Sequence, residues 1–403
     1  MPKLLLLTLA VVTLASGAFA EAQSNFNGNW SCGIECPGGA IEFRLLIADQ
    51  NGKVTASIIN GEEKIAVPTI AVENEKLVLD FVHYDSKITA VHKGKSLEGE
   101  WRKRRGKDEW VEMNFHASPL VNKTSEPASG VSSFVGKWKV DFAKSEDPAV
   151  AVFKESQTAS IEGTFLTTTG DYRYLAGHAV TPSSFSLSCF DGAHAFLFKA
   201  KRQENGSLKG DFWSSNTWHE TWTAKRDSNA KLPDAFKQTV LNKNVKLDAV
   251  AFPDLDGKMR KLTDTEFAGK ARLIYVFGSW CPNCHDAAAY FADLKKKYKD
   301  LSILGLAFEL TGDFDRDANQ VRRYLKRHNV DYPVLIAGTA DKTDATKKLG
   351  LLDRVRSYPT TIFVDGKGSV HAVHTGFAGP ATGKAYVQLK QKFESTIEQM
   401  LKE

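Results

Sequence analysis

The stretch Leu273-Ile274-Tyr275-Val276-Phe277-Gly278-Ser279-Trp280-Cys281-Pro282-Asn283-Cys284 decides the fold of the region around it. Its five leading apolar residues suit a strand covered on both faces, as in a parallel sheet. Helical spacing from His285 to Tyr298 follows, and Leu301 to Phe308 is a second apolar run. Strand, helix, strand is βαβ grammar. Farther on, Ala318 to His328 reads as a helix, Thr360 to Val364 as a strand with a turn at Asp365-Gly366-Lys367-Gly368, and Ala385 to Leu401 as a closing amphipathic helix. Residues 245–403 are therefore expected to form an α/β domain, a mixed sheet flanked by helices.

The two cysteines sit where the buried strand ends and the helix begins. Free N–H groups and the helix dipole favour an anion there and lower a thiol from about 8.5 into a range of about 3.5–7.5. Cys281 is thus the expected attacking thiol. Cys284, one turn on and deeper, is the expected resolving thiol. Half a zinc site is the competing reading of such a pair, but no second cysteine pair with ligand spacing exists in the chain, so no metal is expected. A structural disulfide is the other competitor, and the Trp-Cys-x-x-Cys context at a strand-helix junction argues against it.

Upstream the grammar changes. Between Phe26 and Ala117, β-rich runs such as Ile41 to Ile47 and Lys76 to Val82 alternate with turn signals, which indicates an antiparallel module over 24–118. A Ser/Pro/Gly-rich linker (119–133) leads to a second β-rich module (134–226), and a polar linker (227–244) precedes the α/β domain. Phe134-Val135-Gly136-Lys137-Trp138 echoes Phe26-Asn27-Gly28-Asn29-Trp30 at an offset of 108, and Trp218 echoes Trp110 at the same offset. Ser207-Leu208-Lys209-Gly210 echoes Ser96-Leu97-Glu98-Gly99 at 111, so two copies of one β unit are expected. The Gly-x-Trp openings resemble the first strand of lipocalin-like barrels. Barrel and sandwich both remain open.

The N-terminus carries Lys3, an apolar run from Leu4 to Ala15, and Gly17-Ala18-Phe19-Ala20, the pattern of a cleaved secretory signal over 1–20. The run is short for a membrane span, which disfavours an uncleaved anchor. A periplasmic location is expected, where disulfides persist. A formal charge of +5 over 403 residues argues against nucleic-acid binding. The basic run Arg102-Lys103-Arg104-Arg105, with Lys107, reads as a solvated hairpin tip, with docking to an acidic partner or anionic headgroups as the alternative. In an oxidising compartment Cys32 and Cys36 are expected to form a structural disulfide; a second exchange site or copper capture competes, but no nearby His or Met completes a metal set. Cys189, beside Phe190, is expected in a core.

With Ser357-Tyr358-Pro359-Thr360-Thr361-Ile362-Phe363-Val364-Asp365, the Cys281 motif resembles the TlpA/ResA branch of the thioredoxin superfamily, over about 246 to the end. The resemblance implies a thioredoxin-like domain with Pro359 cis and Tyr358 on the wall facing Cys281, its backbone able to pair with an extended substrate segment. It implies a disulfide reductase re-reduced by a membrane electron donor of the DsbD type, acting on client proteins, with the redox-active disulfide as its working group and no separate cofactor. Trp280, Pro282 and Asn283 complete the motif. Thr169 to Leu175 and Ser188 to His194 resemble β-rich extensions of some TlpA-like proteins.

Departures from the family leave Cys284 without its usual proton acceptor: His285-Asp286 replaces a frequent Glu, and Tyr275 replaces the buried Asp of thioredoxins. Glu309, at the end of the next strand, is the first candidate for that role and Asp286 the second. His285 is a candidate for tuning the thiolate, and Phe377 for the rim of the substrate groove. An oxidase or isomerase, a thiol peroxidase, and a lipid- or glycan-binding protein using Trp213, Trp218 and Trp222 are the rival functions. The missing Pro-x-x-x-Thr-x-x-Cys loop speaks against the peroxidase.

Overall fold

The computed structural model describes residues 25–50, 53–121, 130–156, 160–242, 245–264 and 270–402. The expected signal at 1–20 lies outside them, as do the middle of the first linker and residues 243–244 of the second.

The first module is a nine-stranded antiparallel meander: β1 (Gly28–Cys36), β2 (Gly39–Gln50), β3 (Lys53–Asn60), β4 (Glu63–Ala66), β5 (Thr69–Glu73), β6 (Lys76–Phe81), β7 (Ser86–Lys93), β8 (Ser96–Arg104) and β9 (Trp110–Pro119). β1 pairs with β9, so the sheet order runs from β4 through β1 and β9 to β5, with the two edge strands consecutive in sequence. Val67-Pro68 joins them, and the Val67 N–H turns away to Ala56 O (2.9 Å). Pro68 has no N–H to offer across that seam.

The second module closes. Its eight strands, β10 (Gly136–Phe142), β11 (Ala149–Glu155), β12 (Ile161–Leu166), β13 (Leu175–Thr181), β14 (Ser184–Phe190), β15 (Ala195–Arg202), β16 (Leu208–Ser214) and β17 (Trp218–Arg226), form an up-and-down barrel. The echoed residues hold equivalent places: Trp30 donates to Phe26 O (3.0 Å) and Trp138 to Phe134 O (2.9 Å). Trp110 and Trp218 open the last strand of each module. Phe153, Phe165, Phe185, Phe198 and Trp222 fill the barrel. Phe190 points out of it instead, stacks on Phe43 at 4.6 Å, and belongs to the first module's core with Leu197. Asn60 fastens the junction by accepting from Phe190 N (3.1 Å) and donating to Phe190 O (3.0 Å).

The C-terminal domain has the expected mixed sheet. β20 (Arg272–Phe277) is buried along its whole length, with β21 (Ser302–Glu309) and then β22 (Val334–Thr339) parallel on one side. β23 (Thr360–Val364) and β24 (Val370–Thr375) run antiparallel on the other. A small hairpin, β18 (Ala251–Pro253) with β19 (Met259–Lys261), precedes the sheet. Helix α1 (Pro282–Lys297) leaves the end of β20, α2 (Phe314–His328) follows β21, α3 (Lys342–Leu349) follows β22, and α4 (Lys384–Met400) closes the chain. Because β20 and β21 are parallel, the cysteine motif and Glu309 emerge at the same sheet edge. Among the described residues no helix is long and apolar enough to cross a membrane.

Candidate active site

Cys281 is the N-cap of α1, and Pro282 occupies the first helical turn, where an N–H is not needed. The Tyr358-Pro359 bond is cis, and Cys281 Sγ lies 3.3 Å from Tyr358 O. Trp280 is pinned by its indole N–H to Phe308 O (2.9 Å) and meets Tyr358 edge to face at 5.6 Å. The two thiols differ sharply. Burial pushes Cys281 up, but hydrogen bonds from the Cys284 thiol and from the N–H groups of Cys284 and Asn283, together with the Arg173 charge, hold it below the usual thiol value. Burial and the bond to Cys281 push Cys284 well above it.

Behind Cys284 is a tyrosine layer. The hydroxyls of Tyr275 and Tyr324 both donate to Cys284 O, at 2.7 and 2.8 Å. Tyr275, standing where thioredoxins carry a carboxylate, is pushed well above the usual phenol range by burial and by the Cys284 charge, so it serves as a donor and not as a base.

Both β modules reach this site. Arg173 of the barrel is ion-paired with Asp286 on the first turns of α1, with Asp191 at 3.2 Å and with Glu63 of the first module at 3.8 Å. One guanidinium therefore joins all three parts of the chain. The preceding loop lies on the domain itself: Ser357 Oγ donates to Thr169 O (2.6 Å) and Gly379 N–H to Asp171 Oδ2 (2.6 Å). The β6–β7 turn docks beside it. Arg316 pairs with Asp85, and Gln320 donates to Val82 O at 2.9 Å.

Residues 229–387 match the Redoxin family model. Over 123 residues the chain is 29% identical to thioredoxin-like protein YneN of Bacillus subtilis, covering 30% of this chain and 65% of that protein. It is 31% identical over 117 residues to a thiol-disulfide oxidoreductase ResA of Bacillus cereus, covering 29% and 60%. With thiol:disulfide interchange protein DsbE of Haemophilus influenzae the figures are 29% over 132 residues, covering 32% and 64%. The C-terminal domain is similar to the TlpA/ResA-like thiol-disulfide oxidoreductases of the thioredoxin superfamily. The chain spans somewhat under two thirds of these relatives' own length.

Within this TlpA/ResA-like domain several sequence expectations need correction. Glu309 is at the expected edge, but its carboxylate accepts from Ser279 N–H (2.8 Å) and Ser279 Oγ (2.6 Å) and not from Cys284. Burial, opposed by those two bonds, raises it to about 7. His285 is buried, its ring nitrogens taken by His328 Nε2 (2.7 Å) and Ser279 O (2.8 Å), with His83 and Tyr84 of the first module edge-on at 5.1 and 4.8 Å. Burial and the neighbouring His328 and His83 hold it well below the usual imidazole value, so it is neutral and packs an interface, supplying no charge to the thiolate. Asp286 is committed to Arg173. Phe377 is buried, and its carbonyl lies 3.4 Å from Asn283 Nδ2.

The Cys32–Cys36 disulfide is contradicted: both thiols are free, on one continuous strand. Four residues of extended chain separate their Cα atoms by ~13 Å, twice what a disulfide spans. Cys189 packs in the barrel core. The basic run is largely internal, Arg104 pairing with Asp85 and Lys103 donating to Ala193 O (2.6 Å). Trp222 is barrel core, and Trp218 binds Glu220 through its indole N–H (3.0 Å).

Arg173 was the functional residue missed. Its signal was present only as the unexplained phrase Thr169 to Leu175; nothing local marks an arginine 113 positions before its partner Asp286.

Proposed function

We propose that this protein is a protein-disulfide reductase that works outside the cytoplasm by dithiol–disulfide exchange. The Cys281 thiolate attacks one sulfur of a client disulfide, forming a Cys281–client mixed disulfide and expelling the other client sulfur as a thiolate. Cys284 then loses its proton and attacks Cys281 Sγ, the second client sulfur leaves as a thiolate, and the enzyme is left with a Cys281–Cys284 disulfide. Two electrons pass from the enzyme dithiol to the client, whose sulfurs take up two protons. A membrane electron donor of the DsbD type restores the dithiol.

The observation carrying this reading is the split between the two thiols: Cys281 at the helix N-cap among donors that favour its anion, and a fully buried Cys284 behind it whose surroundings favour the protonated form. Tyr358 and cis-Pro359 supply the backbone on which an extended client segment lies. The apolar N-terminal run and Ala18-Phe19-Ala20 support export. Cys281→Ser is expected to abolish reduction of insulin disulfides, and Cys284→Ser to accumulate a mixed disulfide with the client. Full turnover by Cys284→Ser would overturn the assignment.

A further inference from the structure

In a reductase of this kind the surface beside the residue that precedes the cis proline must be open to the client. Here it is occupied by the chain itself. The β12–β13 loop, residues 167–173, crosses the active-site edge and is fastened at three points: Thr169 O to Ser357 Oγ (2.6 Å), Asp171 Oδ2 to Gly379 N (2.6 Å), and Arg173 to Asp286. Between the first two, Gly170 is pressed onto the motif dipeptide. A Cβ there would sit 2.2 Å from Asn283 Nδ2, so any larger residue requires the loop or the Asn283 amide to move. Arg173 adopts φ 62°, a left-handed backbone that costs a non-glycine residue of order 1–3 kcal/mol, and the Asp171 carboxylate accepts its N–H at 2.8 Å. Cys281, two positions before Asn283, is only 7% exposed.

We propose that the loop Thr167–Arg173 is a strap that sets substrate specificity by occupying the client-binding surface: small disulfides reach Cys281 with the strap in place, and protein disulfides react only when it lifts. This rests on the dithiol reading above. The strap is drawn from the barrel, so the β modules act on the reaction by competing for the position of a substrate segment. Thr167, Thr168 and Gly170 border a cleft of about 1110 Å³ lined also by Phe236 and Leu389, which leaves room beside the strap for it to move.

Gly170→Leu in the full chain crowds the strap against Asn283, and Asp171→Ala releases the Gly379 anchor. For each, kcat/KM is measured with insulin and with 5,5′-dithiobis(2-nitrobenzoate). The insulin-to-small-disulfide ratio is expected to rise about tenfold, and a rise below about threefold in a variant that still reduces the small disulfide overturns the strap. Against loss of folding, the reduced wild type is alkylated with iodoacetamide and with a polyethylene-glycol maleimide. Protection of Cys281 from the polymer alone, lost on adding mild urea before global unfolding, is expected; equal access of both reagents in buffer overturns the proposal. A wild type that reduces neither disulfide defeats the dithiol reading itself, and the strap with it.

Discussion

Replacing Glu309 by Gln isolates the cost of a buried carboxylate bonded to Ser279, two positions before the attacking thiol. Glu309 is 1% exposed and raised from an ordinary 4.5 to about 7. A group whose folded value lies above its unfolded one helps the fold below the unfolded value, and that help is lost as pH rises through the folded one. The wild type therefore loses stability between pH 4.5 and about 7 on account of this residue. At 1.36 kcal/mol per unit the shift amounts to about 3 kcal/mol. Gln keeps an acceptor for the Ser279 N–H and carries no charge, so the variant is expected to match the wild type near pH 4.5 and to exceed it by about 3 kcal/mol at pH 8.5. Urea unfolding followed by tryptophan fluorescence across that range provides the test. A gain that does not depend on pH, or a loss at pH 8.5, would refute the burial argument. Turnover should change little, since the carboxylate faces Ser279; a large fall in Cys284 resolution rate would restore Glu309 as its proton acceptor.

The Cys281–Cys284 potential is expected nearer thioredoxin, about −270 mV, than DsbA, about −120 mV, because the ~150 mV between them is roughly 7 kcal/mol. Pro282 donates nothing, the Asn283 amide faces Phe377 O, and Arg173 is shared among carboxylates; a value above about −180 mV in glutathione buffers would favour an oxidase or isomerase. Peptide mapping of exported protein should recover Cys32 and Cys36 as free thiols that react only after unfolding, and a bridged peptide would show that β1 is broken. Burial holds His83 at about 3 and His328 at about 4, with Arg327 beside both reinforcing it, and holds His285 well below the usual value. Their neutral forms support the fold above the unfolded value, and that support is lost as pH falls toward those numbers. Amide protection around Tyr84 and His285, taken relative to the intrinsic exchange rate at each pH, should fall between pH 6 and 4, and protection that stays constant would contradict it.

The C-terminal fold was legible because its signals are local: five apolar residues in β20, a cysteine motif at a strand end, a proline before β23. The two modules were legible as a pair for the same reason, each opening on a tryptophan that bonds back four residues. Closure was not, since it depends on whether the edge strands find each other, and Val67-Pro68 at one seam settles that in three dimensions. Cys32 and Cys36 misled because close spacing in sequence means proximity only in a turn, and β1 runs straight through both. Glu309 was placed at the correct edge by strand direction, but its partner was decided by the Ser279 hydroxyl, a contact that strand grammar does not encode. The strap, spanning domains far apart in the chain, left no periodic trace.

Phe190 sets the mechanics of the whole assembly. By leaving its own barrel to stack on Phe43 and meet Phe81 edge to face, it welds the two β modules into a single body. Rotating one module against the other would bring that ring and its neighbours into water, at a cost of about 2 kcal/mol for the ring alone. The contacts with the redox domain are mixed: the ion pairs Arg316–Asp85 and Arg173–Asp286, the hydrogen bond from Gln320 to Val82 O, and the His285 ring against His83 and Tyr84. Of the two ion pairs, only Arg316–Asp85, with about a quarter of each side chain exposed, stands where dissolved ions can reach it. Salt therefore bears on that rim pair alone, and leaves the Phe190 weld and the buried Arg173 cluster much as they are.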